Sequence, residues 1–335
     1  MRRDRIARAR SGPLRRGPAT WREQTFTASA PWSPEGFDDY RSRFPATPSL
    51  PVLADDTPTF IAAWHELADP FVRRAALYSD PHRTRTTVVF IRGYLGHYMR
   101  GNLVPARDAI AKSGYATFIA KNAAGGNVAD NVTRLAAELD VRVPRYHRLI
   151  FCGHSKGGLE ALTLVDQRPD LAARTRAVIL SQTPRGPSHV LESVLTGRHR
   201  DSLSLRRSLA ELTQRIGLKA IVATPGGLEL TRDRLPRVVG PLLARAPRPF
   251  PVIQTASWSS RPTTWLDSFH ERLGEIRPGV AHDGQFYLED LLWPDLPHIL
   301  LPHLDHAQPV MDGFGFDSAR YWSTLLVLLS TLTPR

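Results

Sequence analysis

The sequence predicts an α/β protein: a doubly wound, mostly parallel sheet with a helical cap insertion. Three observations carry this. From residue 86 onward, short runs apolar on both faces alternate with longer amphipathic runs. At Gly153-His154-Ser155-Lys156-Gly157 an apolar run meets a helical one through a sharp turn with serine at its apex. Between Ser188 and Ala246 the alternation gives way to a largely helical stretch before sheet-like character returns.

Taken in order, residues 1 to 50 are rich in Arg, Pro and Ser and are expected to be a disordered or loosely wrapping leader, with one domain over 51–335. The leader carries eight arginines against Asp4 within residues 1 to 22, so it supplies +7 of the net charge of +12. A basic tail attracts nucleic acid or anionic membrane. Arginine outnumbers lysine 40 to 4 over the whole chain, however, which reads as compositional bias, and no nucleic-acid partner is expected. Arg2-Arg3 has no apolar run behind it to make an export signal, so a cytoplasmic location is expected. A mitochondrial transit peptide has the same Arg-rich, acid-poor character and stays open. No apolar stretch approaches the ~20 residues that cross a bilayer. The single cysteine, Cys152, ends an apolar strand and reads as a buried core thiol.

Residues 55 to 80 show helical spacing through Phe60, Trp64, Leu67, Phe71, Ala75 and Leu77. The strands are expected at Val88–Ile91, Ala116–Ile119, Leu149–Cys152 and Ala177–Leu180, and again at Val252–Thr255 and Ile299–Leu301. Helices are expected at about 103 to 113, 128 to 140 and 156 to 167, the alternation of a parallel sheet with right-handed crossovers. The insertion at about 188–246 reads as a cap, with helices at Val190–Leu195 and Leu203–Ile216. It has breakers at Pro225-Gly226-Gly227 and a weaker helical pattern over Leu235–Leu243, interrupted by Gly240-Pro241. Open α/β sheets bind ligands at the carboxyl ends of their strands, so the cap is expected over that edge.

The chemistry starts from Ser155. A serine hydroxyl is a weak nucleophile at neutral pH and needs a histidine to take its proton and an acid to orient that histidine. Of the twelve histidines, His306 follows the last predicted strand on the sheet edge that carries Ser155, whereas His298 and His303 lie in or beside that strand. His154 points away from the nucleophile and reads as packing. For the acid, Asp283 lies between the last two predicted strands; Asp267 is its rival, and Asp283-Gly284 is also an ordinary turn signal. Asp305 adjoins His306, but sequence neighbours rarely orient one another. A tetrahedral oxyanion needs two backbone donors, here the amide of Lys156 at a helix start and that of Tyr94 in Arg92-Gly93-Tyr94-Leu95-Gly96.

The order Ser155, Asp283, His306, the glycine-flanked elbow, the Gly93 loop and the inserted cap together resemble the α/β-hydrolase superfamily, on its esterase and lipase side. The resemblance covers about residues 86 to 310. It implies a serine hydrolase that cleaves carboxylic esters of short to medium acyl chain through an acyl-enzyme, with no cofactor and no metal, acting on a small-molecule or lipid ester. Arg92 stands where the family often has histidine, and Ser181–Gly186 is similar to the loop that follows the next strand in lipase-like members. Thioesterases, peptidases, acyltransferases and catalytically silent binding proteins share the fold. Trp258 and Trp265, just beyond the Val252 strand, are candidates, with the cap, for covering an apolar acyl pocket and equally for plain packing residues.

Overall fold

Six strands form one parallel sheet: Thr86–Ile91 (β1), Ala116–Ile119 (β2), Arg148–His154 (β3), Thr175–Ser181 (β4), Val252–Trp258 (β5) and His298–Pro302 (β6). Their spatial order is β2-β1-β3-β4-β5-β6, with every neighbouring pair parallel. The computed structural model describes residues 55–196, 219–220, 222–245, 247–259, 263–264, 266–311 and 314–332. The leader at 1–50 and the helix expected at Leu203–Ile216 lie outside these.

The strands have apolar side chains on both faces because helices cover both. Val89, Ile91, Leu149, Phe151, Val178 and Leu180 enter one core; Val88, Phe90, Ile150, Cys152, Ala177 and Ile179, their alternate neighbours, enter the other. The first core is closed by Val128–Arg142 (α4) and Lys156–Gln167 (α5), the second by Thr57–Glu66 (α1), Val104–Ala111 (α3) and Ser318–Leu332 (α10). The chain runs outward from β1 to β2, returns across β1 to β3 and continues to β6. The winding therefore reverses between β1 and β3, and the crevice of such a sheet opens at their carboxyl ends.

Several elements differ from the sequence expectation for identifiable reasons. The helical pattern over 55 to 80 is two helices, α1 and Pro70–Tyr78 (α2). Pro70 takes a first-turn position, and the Asp69 side chain caps the new helix by accepting the Phe71 N–H at 2.7 Å. Pro225-Gly226-Gly227 breaks nothing: Thr224 is the N-cap of a short helix, Pro225–Glu229 (α7). Leu235–Ala244 (α8) continues through Gly240-Pro241, and its buried Leu235, Val239 and Leu242 pack into the core that α5 closes. That burial outweighs the hydrogen bond removed by Pro241. The helix at Val190–Leu195 is His189–Thr196 (α6), and a further helix, Asp267–Ile276 (α9), follows β5.

Helix α10 has no counterpart among the elements expected from the sequence. Tyr321, Trp322 and Leu325 are fully buried. The Tyr321 hydroxyl bonds the Ser181 and Thr255 hydroxyls at 2.8 and 2.7 Å, anchoring the helix to β4 and β5. Among the described residues no helix is long and apolar enough to cross a membrane.

Candidate active site

Ser155 sits between β3 and α5 with φ 53° and ψ −129°, a conformation that L-residues avoid. The sequence forces it by making close approach possible only for glycine. A Cβ on Gly153 would lie 2.5 Å from the Gly158 Cα, and one on Gly157 would lie 2.4 Å from the Ile91 carbonyl oxygen. A Cβ on Gly93 would lie 2.8 Å from the Ser155 Cβ, so the loop after β1 rests directly on the serine. The Ser155 N–H donates to the Ser181 carbonyl at 2.8 Å, which holds the turn against the end of β4.

The loops after β5 and β6 bring Asp283 and His306 together. The Asp283 Oδ2 and His306 Nδ1 are 2.6 Å apart, and the His306 N–H donates to the Asp283 carbonyl at 2.8 Å. Asp283 is completely buried. Its Oδ1 accepts the N–H groups of Gln285 and Phe286, each at 2.9 Å, which builds the turn at Gly284, whose φ is +93°. The turn signal at Asp283-Gly284 and the acid contact thus belong to one carboxylate. Because a carboxylate only accepts, Nδ1 carries the imidazole proton and Nε2 keeps its lone pair.

The other candidates fall elsewhere. Asp305 organises its own loop, with Oδ1 accepting from Ala307 and Gln308 and Oδ2 from Thr263 and Thr264. His298 starts β6, at the edge of the sheet opposite Ser155, with its Nε2 3.9 Å from the Asp55 carboxylate. His303 has a left-handed φ of 59° in the turn after β6. Asp267 opens α9. Trp258 is buried in a cluster with Ala256, Ala281, Phe286 and Leu288 beneath the Asp283 loop, a packing position; Trp265 lies outside the described residues.

Lys156 begins a twelve-residue helix, so its N–H lies in the first turn, at the positive end of the dipole. Tyr94 lies between Gly93 and Leu95, which has a left-handed φ of 58°. The Leu95 N–H donates to the Ala124 carbonyl at 3.1 Å. The Tyr94 hydroxyl bonds the Thr224 hydroxyl at 2.8 Å, and the Gly226 N–H donates to the Gly125 carbonyl at 2.9 Å. The described part of the cap around α7 is thereby seated on the loops that follow β1 and β2, at the carboxyl edge of the sheet.

Neither a protein-family model nor a curated protein sequence matches the chain. Solved structures do. A metagenomic carboxyl esterase aligns at 21% identity and a TM-score of 0.55, over 74% of this chain and 76% of that one. The mature form of a Bacillus licheniformis lipase aligns at 16% identity and a TM-score of 0.52, over 76% of this chain and 95% of that one. EstA from Clostridium botulinum aligns at 11% identity and a TM-score of 0.51, over 75% and 89%.

The chain has the α/β-hydrolase fold.

Within this hydrolase fold, His154 does more than pack. Its Nε2 donates to the His306 carbonyl at 2.9 Å and lies 3.2 Å from the Gln182 Oε1, and the two imidazole rings are 4.8 Å apart. Burial, with the neighbouring His306 adding to it, pulls the His154 pKa down to about 3, so the ring stays neutral and keeps the tautomer that this bond needs. Gln182, at φ 48° just after β4, donates through Nε2 to the Asp305 carbonyl at 3.0 Å and to the Ser257 hydroxyl. His154 and Gln182 therefore tie the serine turn to the histidine loop. The reading of Ser181–Gly186 as a lipase-like loop pointed to the segment. Nothing in sequence spacing pointed to the bonds.

Proposed function

We propose that the protein is a serine hydrolase that cleaves carboxylic esters through an acyl-enzyme. Ser155 is the nucleophile, His306 the general base and acid, and Asp283 the group that orients His306. The observation that carries the reading is the Asp283–His306 pair, whose loop His154 ties to the strained, glycine-enclosed turn of Ser155. In the first step the Ser155 hydroxyl adds to the ester carbonyl as its proton passes to His306 Nε2. The N–H groups of Lys156 and Tyr94 receive the oxyanion. Collapse of the tetrahedral species expels the alkoxide, which takes the proton from His306. Water repeats the sequence on the acyl-enzyme and frees the acid, and Asp283 stabilises the imidazolium each time without being protonated.

The structural neighbours include a carboxyl esterase and a lipase, which favours the ester class over amides. The acyl side is proposed to prefer short to medium chains, with the cap seated over the sheet edge as the limiting wall. Matched p-nitrophenyl esters and anilides from about two to sixteen carbons test this, since each additional buried methylene contributes about 0.8 kcal/mol until the pocket is full. Faster cleavage of the anilides would move the protein to peptidases. Ser155→Ala should remove both turnover and fluorophosphonate labelling in a folded protein. Undiminished turnover in that variant would refute the assignment.

A further inference from the structure

Directly behind the serine turn lies a buried polar cluster that the reaction above does not use. Lys156 and Glu160, one turn apart on α5, are each 1% exposed. The Lys156 Nζ donates to the Glu160 Oε1 at 2.6 Å. Asn131, on α4, donates to the same oxygen at 2.7 Å, and Asn122, after β2, donates to Oε2 at 2.8 Å. One carboxylate thus collects donors from three segments. Burial pushes the Glu160 carboxyl up, opposed by the Lys156 ammonium and both amides.

Such a cluster is a poor way to gain stability, because two desolvated charges of this kind are often replaced by apolar groups at no loss. Its geometry has another consequence. The second hydrogen of the Asn122 amide goes to the Arg92 carbonyl at 3.0 Å. That carbonyl oxygen is also the atom that a Cβ on Gly157 would approach to 2.8 Å. The peptide after β1 is therefore gripped from one side by the start of α5 and from the other by Asn122, and Glu160 holds Asn122. Asn131 braces the same loop, with its Oδ1 accepting the Ala123 N–H at 2.8 Å and its Nδ2 donating to the Ala123 carbonyl at 3.1 Å. The Ala124 carbonyl next to it receives the Leu95 N–H.

We infer that Glu160, acting through Asn122, is a positioning residue that sets the distance between the Lys156 and Tyr94 amides. The inference rests on the proposed role of those amides as oxyanion donors. Neither Glu160 nor Asn122 contacts the reacting atoms. Their effect is to fix the loop after β1 relative to the helix after β3, and a shift of about 1 Å in such an element costs about 10² in rate.

Two variants test this. Asn122→Ala cuts the link to Arg92 and leaves the ion pair intact. Lys156→Met/Glu160→Gln removes both charges together, so no unpaired charge is buried. Both are measured for kcat and KM on p-nitrophenyl butyrate, for turnover of the matched thionoester, and for thermal melting. A loosened pair of donors should lower kcat about 10- to 100-fold while KM stays within about twofold. It should also lower the ester-to-thionoester ratio, because sulfur depends less on tight hydrogen bonding. Folded variants with unchanged kcat, or with both substrates slowed equally, would overturn the inference while ester cleavage by the unaltered protein stands. An unaltered protein inert towards every ester would overturn the functional reading and this inference with it.

Discussion

Replacing Asp283 with asparagine keeps the shape of the side chain and changes one acceptor into a donor. Oδ1 accepts two backbone N–H groups, from Gln285 and Phe286, and Oδ2 meets His306 Nδ1. If the amide nitrogen took the Oδ1 place, three donors would face one another in a fully buried turn, at roughly 1–3 kcal/mol for each group left unsatisfied. The cheaper arrangement keeps the oxygen there and points the amide nitrogen at His306. Nδ1 then has to accept, the proton moves to Nε2, and the nitrogen proposed to take the Ser155 proton can no longer do so. Turnover should fall by about 10⁴, the loss expected for a triad acid changed to its amide. Because the two backbone bonds persist, the turn should survive and melting should shift by no more than a few degrees. Steady-state hydrolysis of p-nitrophenyl butyrate, with circular dichroism melting on the same sample, reads both. A folded Asp283→Asn protein within tenfold of the parent rate would refute this account, and an inactive Asp267→Asn beside it would transfer the role.

Other outcomes follow from the same contacts. Gly157→Ala should lose activity and about 1–3 kcal/mol of stability, since its Cβ would meet the Ile91 and Arg92 carbonyl oxygens at 2.4 and 2.8 Å. Gly240→Ala, mid-helix with nothing within 4 Å of its Cβ, should instead gain about 0.5–1 kcal/mol; the reverse order in urea melts would contradict both. Burial pulls His282 down to about 3, helped by the neighbouring His270, as it does His154, so both rings are neutral when folded and bind protons when unfolded. Their contribution is complete above pH ~6.5 and is lost as pH falls towards 3, each with a slope approaching 1.4 kcal/mol per pH unit. His282→Gln should flatten the pH dependence of melting over that window, and an unchanged slope would refute it. Removing residues 2 to 22 should leave turnover of a small ester within a few-fold, because the leader precedes every described element; a collapse without unfolding would show that it docks at the site.

The sheet was legible because its signal is local. Runs such as Val88–Ile91 and Leu149–Cys152 must be apolar on both faces to fill two cores, and that requirement is visible without knowing the partners. Ser155 was legible for a related reason, since the small residues around it answer a steric demand within a few residues. Asp283 and His306 were placed by chain order relative to the strands, and the structure brings their side chains, 23 positions apart in sequence, into contact. What sequence patterns missed was long-range. Helix α10 carries apolar residues with ordinary helical spacing, but its worth lies in Tyr321 reaching β4 and β5. The break between α1 and α2 is the local exception, an Asp69-Pro70 cap and first turn hidden under a continuous apolar periodicity. In α8, proline reads as an interruption until the burial of Val239 and Leu242 is known.

His154 illustrates the limit best. Turn geometry predicts a side chain that points away from the nucleophile and only packs, yet it bonds the His306 backbone and lies beside the His306 ring, and so connects two loops that sequence treats as separate. Neither Ser155 nor His306 is held by its own strand alone. The serine turn is pinned by Gly153, Gly157 and the Ser181 carbonyl, and the histidine loop by Asp283 and by the His154–Gln182 bonds. Each link is short, buried and neutral apart from the carboxylate, so the arrangement is set before any substrate arrives. A strained serine costs on the order of 1–3 kcal/mol to maintain, and it persists only where its surroundings over-determine it. Here the determining contacts come from β1, β4 and the His306 loop together. Weakening any of them should therefore be felt at Ser155 before it is felt in the melting of the sheet.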